Sequence, residues 1–306
     1  MAYEEKNFTL MSNKKKHTLR VAALTALLFL LYVWCYGYYV GRFSYRVHKQ
    51  DISFYDLPAD FDGYRIVQFS DMHIGTFSGG HEVEVQTIVD LINSQKPDLI
   101  VFTGDLVNRS SSELKDYRCM LAELNAPDGI YSVLGNHDYA IYKRDLTQAE
   151  RQADKQQLLK LQESYGWTPL LNQNVKLSRN RSHIFLIGVE NQGYWRTYFP
   201  KFADLTKAMK GTQPSDFKIL LSHDPTHWRH DIVGKTNIQL TLSGHTHAGQ
   251  FQLFGWSPVS WIYPDWQGTY VEKAQVLSVS TGIGCLIPFR FGALPEINVI
   301  TLHRAR

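Results

Sequence analysis

Cysteine is scarce in this chain: three among 306 residues, Cys35, Cys119 and Cys285, with no C-x-x-C pair. That excludes a disulfide framework and a thiolate zinc or dithiol redox centre, and it leaves the compartment open. An excess of one charge is lacking too. The formal net charge is +3, part of it in a basic N-terminal tail (residues 1–20), so no basic face marks a nucleic-acid partner. Internal repeats and low-complexity tracts are absent, which rules out solenoids. What remains, 44% hydrophobic and 20% charged residues, fits a globular chain with a proper core.

One long uncharged run stands out. Residues 21–40, VAALTALLFLLYVWCYGYYV, are long enough to cross a hydrocarbon layer of roughly 30 Å as a helix. The far end is rich in Trp and Tyr, which favour the membrane interface. The run is long for a cleaved signal peptide, and no A-x-A site follows it. A single-pass anchor is therefore expected at 21–40, with a linker at 41–62 and one domain at 63–306. Lys6, Lys14, Lys15, Lys16 and Arg20 precede the run, while Arg42, Arg46 and Lys49 follow it. That count favours a C-terminal domain outside the cytoplasm of a cell membrane.

From Tyr64 the pattern is α/β. YRIVQFS, DLIVFT and GIYSVL read as buried strands. VEVQTIVDLINSQ puts Val85, Ile88, Val89 and Ile92 on one helical face, and Pro97 closes that element. Ser110 and Glu113 have capping-box spacing, which predicts a helix carrying Leu114, Tyr117, Leu121 and Leu124. Thr147 and Glu150 predict another, running to Tyr165. The second half is richer in strands: VKLSR, HIFLIGV, FKILLS, IQLTLS, QVLSVS and INVITL, with short helical stretches such as FADLTKAMK between them. This order predicts an α/β fold of two sheets packed face to face with helices outside.

Ligands in open α/β sheets gather beyond the carboxyl ends of strands. Here those ends carry Asp71-Met72-His73, Gly104-Asp105, Gly135-Asn136-His137-Asp138, His223, and Gly244-His245-Thr246-His247. Singly, each has an ordinary reading: an Asx-turn for Asp105, a satisfied polar residue for a lone histidine. Five successive strand ends bearing carboxylate, amide and imidazole groups together point to a metal site. Such ligands suit Mn, Fe or Zn better than Ca²⁺ or copper.

D-x-H, G-D, G-N-H-D, a later His and G-H-T-H, in that order over most of residues 64–302, resemble the calcineurin-like metallophosphoesterases. The tail STGIGCLIPFRFGALPEINVITL and the anchor are further similar to the bacterial membrane-associated branch, which includes UDP-2,3-diacylglucosamine pyrophosphatases. Ala248 stands where that branch often has glycine after G-H-T-H. The resemblance implies two mixed β-sheets flanked by helices, a four-layer αββα fold. It also implies two divalent metal ions, one held by Asp71, His73 and His247 and the other by Asn136, His223 and His245, with Asp105 bridging. His137 would then protonate the leaving oxygen after attack by a metal-bridging hydroxide, with Asp138 a partner that orients it.

The substrate class is read only from the surrounding loops. Phe251, Phe254, Trp256, Trp261, Tyr263 and Trp266, with Tyr194, Trp195, Tyr198 and Phe199, either dock a lipid or fill a core. Together with the anchor they point to a phosphodiester or pyrophosphate, with a lipid-linked or nucleotide-sugar substrate in view. A phosphomonoesterase or protein phosphatase and a non-catalytic membrane scaffold are the alternatives. A nuclease is disfavoured by the near-neutral charge, and oligomeric state stays open. Lys143, Arg144 and Arg290 are read either as contacts to phosphate oxygens or, the commoner case, as merely solvated, and His227 and His230 as surface or supporting residues.

Overall fold

The uncharged run lies in α1 (Ala2–Tyr39) in the computed structural model, which describes residues 2–195 and 199–305, with side chains from residue 15 onward. Tyr198 therefore lies outside the described residues. Among the described residues α1 is the one helix long and apolar enough to cross a membrane by length and composition, over Lys15–Phe43 at a mean hydropathy of 1.9. Over most of the run its apolar side chains, Leu24, Leu27 and Leu30 among them, are exposed.

The next segment differs from expectation. Residues 46–54, expected within a linker, form β1 (Arg46–Phe54) and pair in parallel along their whole length with β12 (Glu296–Arg304). β1 is an edge strand whose only buried side chains are Ile52 and Phe54. Its sequence, RVHKQDISF, therefore lacks the apolar run of a central strand.

The elements that follow are β2 (Tyr64–Phe69), α2 (Val83–Ser94), β3 (Leu99–Phe102), α3 (Arg118–Leu121), β4 (Ile130–Ser132), α4 (Gln148–Ser164) and β5 (Trp167–Pro169). After them come β6 (Gln173–Arg179), β7 (Ser182–Gly188), α5 (Leu205–Ala208), β8 (Lys218–Leu221), β9 (Leu240–Ser243), β10 (Gly268–Glu272) and β11 (Gln275–Val279). One six-stranded sheet runs β1-β12-β2-β3-β4-β5, the other β10-β11-β9-β8-β7-β6. Both are mixed: β12 is antiparallel to β2, and the pairs β10/β11 and β6/β7 are antiparallel, while the central strands are parallel.

Three cores separate the layers, and strand alternation explains them. In β3, Leu99 and Val101 enter the core between the sheets, whereas Ile100 and Phe102 face the helices. In β8, Ile219 and Leu221 enter the same central core and Leu220 faces outward, against Trp228 and Ile232. Val85, Ile88, Val89 and Ile92 of α2 are all buried against the first sheet. Each contributes about 1.5–3 kcal/mol by leaving water.

The helix expected from Ser110 is shorter and broken. Its capping box forms, but it opens a single tight turn (Ser111–Leu114), and α3 adds only four residues. Competing bonds explain the break. Glu113 also accepts from Asn108 N (2.7 Å) and Arg109 N (2.8 Å), and Asp154 takes Ser111 N (3.0 Å). These contacts pin the 105–113 segment as a loop beside the site described next.

Candidate metal centre

β2, β3 and β4 of one sheet and β8 and β9 of the other end at the same edge of the molecule. The loops beyond them are zipped together. Asp71 N donates to Gly104 O (2.8 Å), His73 N to Asp105 O (3.1 Å) and Gly244 N to His223 O (2.9 Å). The two sheets are tied across the seam by the Asp71 carboxylate, whose oxygens both lie 3.0 Å from His245 N. Glycines permit this closeness. A Cβ on Gly244 would lie 2.0 Å from Ser70 Oγ and 2.3 Å from Asp71 Oδ2, and one on Gly135 would lie 2.2 Å from Asp105 Oδ1.

The backbone there is strained. Asp71 (φ 52°), His73 (43°), Asp105 (61°), His245 (75°) and His247 (51°) all adopt left-handed conformations. Each costs of order 1–3 kcal/mol and persists only where the surroundings over-determine it, which is a mark of functional sites.

The strain brings ligand-type atoms together. Asp71, His73 and His247 form one group with ligand atoms all within 4.8 Å of one another, and Asp105, His223 and His245 form a second. His73, Asp105 and His137 form a third group that links them. His73 Nε2 lies 3.0 Å from His247 Nε2, and His223 Nε2 lies 3.1 Å from His245 Nδ1. Asp105 Oδ2 is 3.2 Å from His223 Nε2 and 3.7 Å from His73 Nε2. Asn136 places its Nδ2 on Tyr142 Oη (2.8 Å), and its buried Oδ1 has no hydrogen-bond partner. An orphaned acceptor beside clustered imidazoles is what a cation-binding cradle leaves when the protein alone is considered. The donor set fits a pair of divalent cations.

Burial keeps lone pairs available on three of the histidines, while the carboxylates favour a proton on the fourth, His223. Burial, followed by the nearby His137, lowers His73 to about 3, and burial lowers His245 to about 4 against the pull of Asp224. His247 is held well below its usual range by burial, then His73 and Arg290. Against its burial, His223 is raised to about 10 by Asp105 and Asp71. Burial, with Asp105 adding to it, pushes Asp71 up to about 6. Asp105 is held well below the carboxylate range, His223 and His137 outweighing burial.

The calcineurin-like phosphoesterase model matches residues 64–249, from the first strand of the cluster to just past its last histidine. The chain belongs to this family. As a member, it stands among the metal-dependent phosphohydrolases. It is 31% identical over 286 residues to the uncharacterized metallophosphoesterase YkuE of Bacillus subtilis, covering 87% of this chain and 89% of that one. It is also 31% identical over 265 residues to a transmembrane protein with metallophosphoesterase domain from Bos taurus; that match covers 83% of this chain but only 56% of the longer bovine protein. A third relative, UDP-2,3-diacylglucosamine pyrophosphatase LpxG of Chlamydia muridarum, is 28% identical over 300 residues, covering 80% of this chain and 86% of that one.

Within this calcineurin-like site two expected contacts differ. Asp138 does not orient His137. Its carboxylate accepts four backbone N–H groups, from Asp105 (2.8 Å), Leu106 (2.8 Å), Val107 (3.3 Å) and Gly135 (2.9 Å), and so fixes the loop that carries Asp105. Burial and the Asp105 charge push Asp138 up to about 7, against the backbone N–H groups of Gly135 and Val107, which favour the ionised form. His137 is instead oriented by the carbonyl of Asn108, 2.7 Å from its Nδ1, and by Tyr142, whose ring stacks on it at 4.1 Å. Arg290 is likewise not solvated. It is fully buried, with its guanidinium on the carbonyls of Gly284, Thr281 and Ala293 and Nη2 3.1 Å from His247 Nδ1.

Other contributors carry no sequence signal of their own. Tyr263 Oη is 2.8 Å from His245 Nε2, and Asp224, fully buried, lies 3.5 Å from the same nitrogen. His227 is buried four residues from His223 in sequence and bonds Ser222 Oγ (2.8 Å), away from the cluster atoms. His230 stacks on Tyr194.

Proposed function

We propose that this chain is a membrane-anchored binuclear phosphohydrolase that cleaves a phosphodiester or pyrophosphate bond. In this reading Asp71, His73 and His247 hold one divalent cation, Asn136, His223 and His245 hold the other, and Asp105 bridges them. The observation that carries it is the pair of triads that share the Asp105–His73 link. When bound, such a cation pair supplies Lewis acidity that activates water and neutralises charge on the phosphoryl oxygens.

The chain's own groups do the rest. His137 is positioned as the general acid: its Nδ1–H donates to the Asn108 carbonyl, which leaves Nε2 to exchange a proton with the departing oxygen. The same ring lines a cavity of about 560 Å³ with Arg109, Lys143 and Arg144, whose charges outnumber the one carboxylate there, Asp145. Three cations there would hold a leaving group that keeps a negative charge, such as the second phosphate of a pyrophosphate. A second cavity of about 390 Å³ adjoins the His245 side through Tyr263, with Trp195, Ile262 and Pro264 on one wall and His230 and the Arg229–Asp265 ion pair on another. Its apolar wall suits an acyl or aglycone group. The activity for which the chlamydial relative is named, on a diacylated nucleotide sugar, is in keeping with both cavities.

The deciding experiment compares three substrates with the full chain and added Mn²⁺: an aryl phosphomonoester, an aryl phosphodiester and an acylated sugar pyrophosphate. The proposal expects turnover of the pyrophosphate to exceed the others, and to fall when the acyl chains are removed. Preference for the monoester would replace it with a phosphatase reading. Equal turnover with and without acyl chains would remove the lipid part.

A further inference from the structure

The last turns of α1 are not a free stalk. Trp34 stacks on Phe289 with ring centroids 5.6 Å apart, and Tyr36 meets Phe291 edge-on at 5.7 Å. Arg290 N donates to Gly37 O (3.0 Å), one of the carbonyls that the helix end leaves without an internal partner. The contact is too close for larger residues: a Cβ on Gly37 would lie 2.2 Å from the Phe289 ring, and one on Gly41 1.9 Å from Arg290 O.

This fixes a depth. Taken as a span, the twenty uncharged residues after Arg20 cover about 30 Å at about 1.5 Å each. Phe289 packs level with Trp34, six residues or about 9 Å before Val40. The 285–291 loop therefore reaches back along a part of α1 that is still within the membrane boundary.

The apolar surface continues from there. Leu286 and Ile287 are 50% and 56% exposed. Gln250 Nε2 bonds Ile287 O (2.8 Å), and Phe251 stacks on Phe291, which ties the loop to a short hairpin at 251–261, bridged at Leu253 and Trp256 and ending in the tight turn Pro258–Trp261. At the hairpin tip Phe254 is 98% exposed, and Trp261, packed on Trp256, is 78% exposed. A soluble face gains nothing by presenting these rings together, whereas an interface of headgroups and acyl chains does.

We infer that the 285–291 loop and the 251–261 hairpin form a bilayer-docking face that seats the metal centre on the surface of the membrane crossed by α1. The inference rests on α1 being the anchor proposed above. Its occupant is the lipid of that membrane, because the face is continuous with α1 and begins at a depth the helix itself sets. It has a consequence for substrate access. Leu286 lines the same cavity as His137, and the hairpin starts four residues after His247, so the cavity opens beside the headgroups. A phosphoester fixed at headgroup depth then reaches the site without leaving the bilayer.

The test uses the full chain in lipid nanodiscs, with Cys35 and Cys119 replaced by serine. A fluorophore is attached at Phe254→Cys, Ile287→Cys, Leu28→Cys or Tyr55→Cys, the last lying just past the far end of β1. Quenching by nitroxide lipids labelled at the headgroup or at mid-chain is read for each. The inference expects strong headgroup quenching at 254 and 287, mid-chain quenching at 28, and neither at 55. Quenching at 28 with none at 254 and 287 would overturn the docking face and leave the anchor standing. A shielded but unquenched label at 254 would assign the face to a protein partner and overturn it equally. Absence of quenching at 28 would instead strike the anchor, and with it the premise. Quenching at 55 as strong as at 254 would also count against a specific face.

Discussion

Asp105 Oδ2 lies 3.2 Å from His223 Nε2, joining the end of β3 in one sheet to the end of β8 in the other. The other Asp105 oxygen accepts the backbone N–H of His137 at 2.8 Å, so this one carboxylate ties His223 to the loop that carries His137. Replacing it by alanine removes the proposed bridge and leaves the raised His223 without its main partner. The expected result of Asp105→Ala is loss of tightly bound metal, measured by elemental analysis of the purified chain, together with loss of hydrolysis. Stability should also fall by about 3–5 kcal/mol, as for a broken buried pair. Retention of a full metal complement would refute the bridging role.

His137 separates chemistry from binding. Its ring contacts the cluster but is anchored to the Asn108 carbonyl and to Tyr142. His137→Gln should keep the metal content and lower kcat by about 10²–10⁴-fold on substrates with alkoxide-like leaving groups. With a p-nitrophenolate leaving group, which departs without a proton, the loss should be much smaller. Equal losses for both leaving groups would make His137 a structural or ligating residue rather than the acid.

His227, outside the proposed ligand set, gives folding a pH dependence of its own. Burial holds it at about 4 against the pull of Asp231. The folded pKa is depressed, so between 6.5 and 4 the unfolded chain binds a proton that the folded chain refuses. Stability from this residue is present above 6.5 and is lost as pH falls through that window. Between pH 7 and pH 5 the loss is about 2 kcal/mol. Urea titrations at the two pH values should show His227→Asn losing less stability than the parent on acidification. An unchanged difference would mean that His227 is protonated in the folded protein.

The clustering of the candidate site was more legible than two elements of the frame around it. Asp71, Asp105, Asn136, His223, His245 and His247 follow buried strands directly, so hydrophobic run and polar terminus together locate them. β1 was illegible because an edge strand needs few buried side chains and carries Ile52 and Phe54 only. α3 was overestimated because the capping box is a local signal, whereas the bonds of Glu113 to Asn108 and Arg109 depend on where the loop must go. Asn108, Asp224, Tyr263 and Arg290 act through contacts distant in sequence, which no spacing records. The aromatic loops divided between the two readings. Tyr263 is buried against His245 while Phe254 and Trp261 stand in the open, and only packing decides which is which.

Anomalous diffraction from crystals of the full chain loaded with Mn²⁺ tests the central claim most directly. The account predicts two peaks about 3.5–4 Å apart. Asp71, His73 and His247 should surround one, Asn136, His223 and His245 the other, and Asp105 should contact both. A single peak, or a pair that bypasses Asp105, would contradict it.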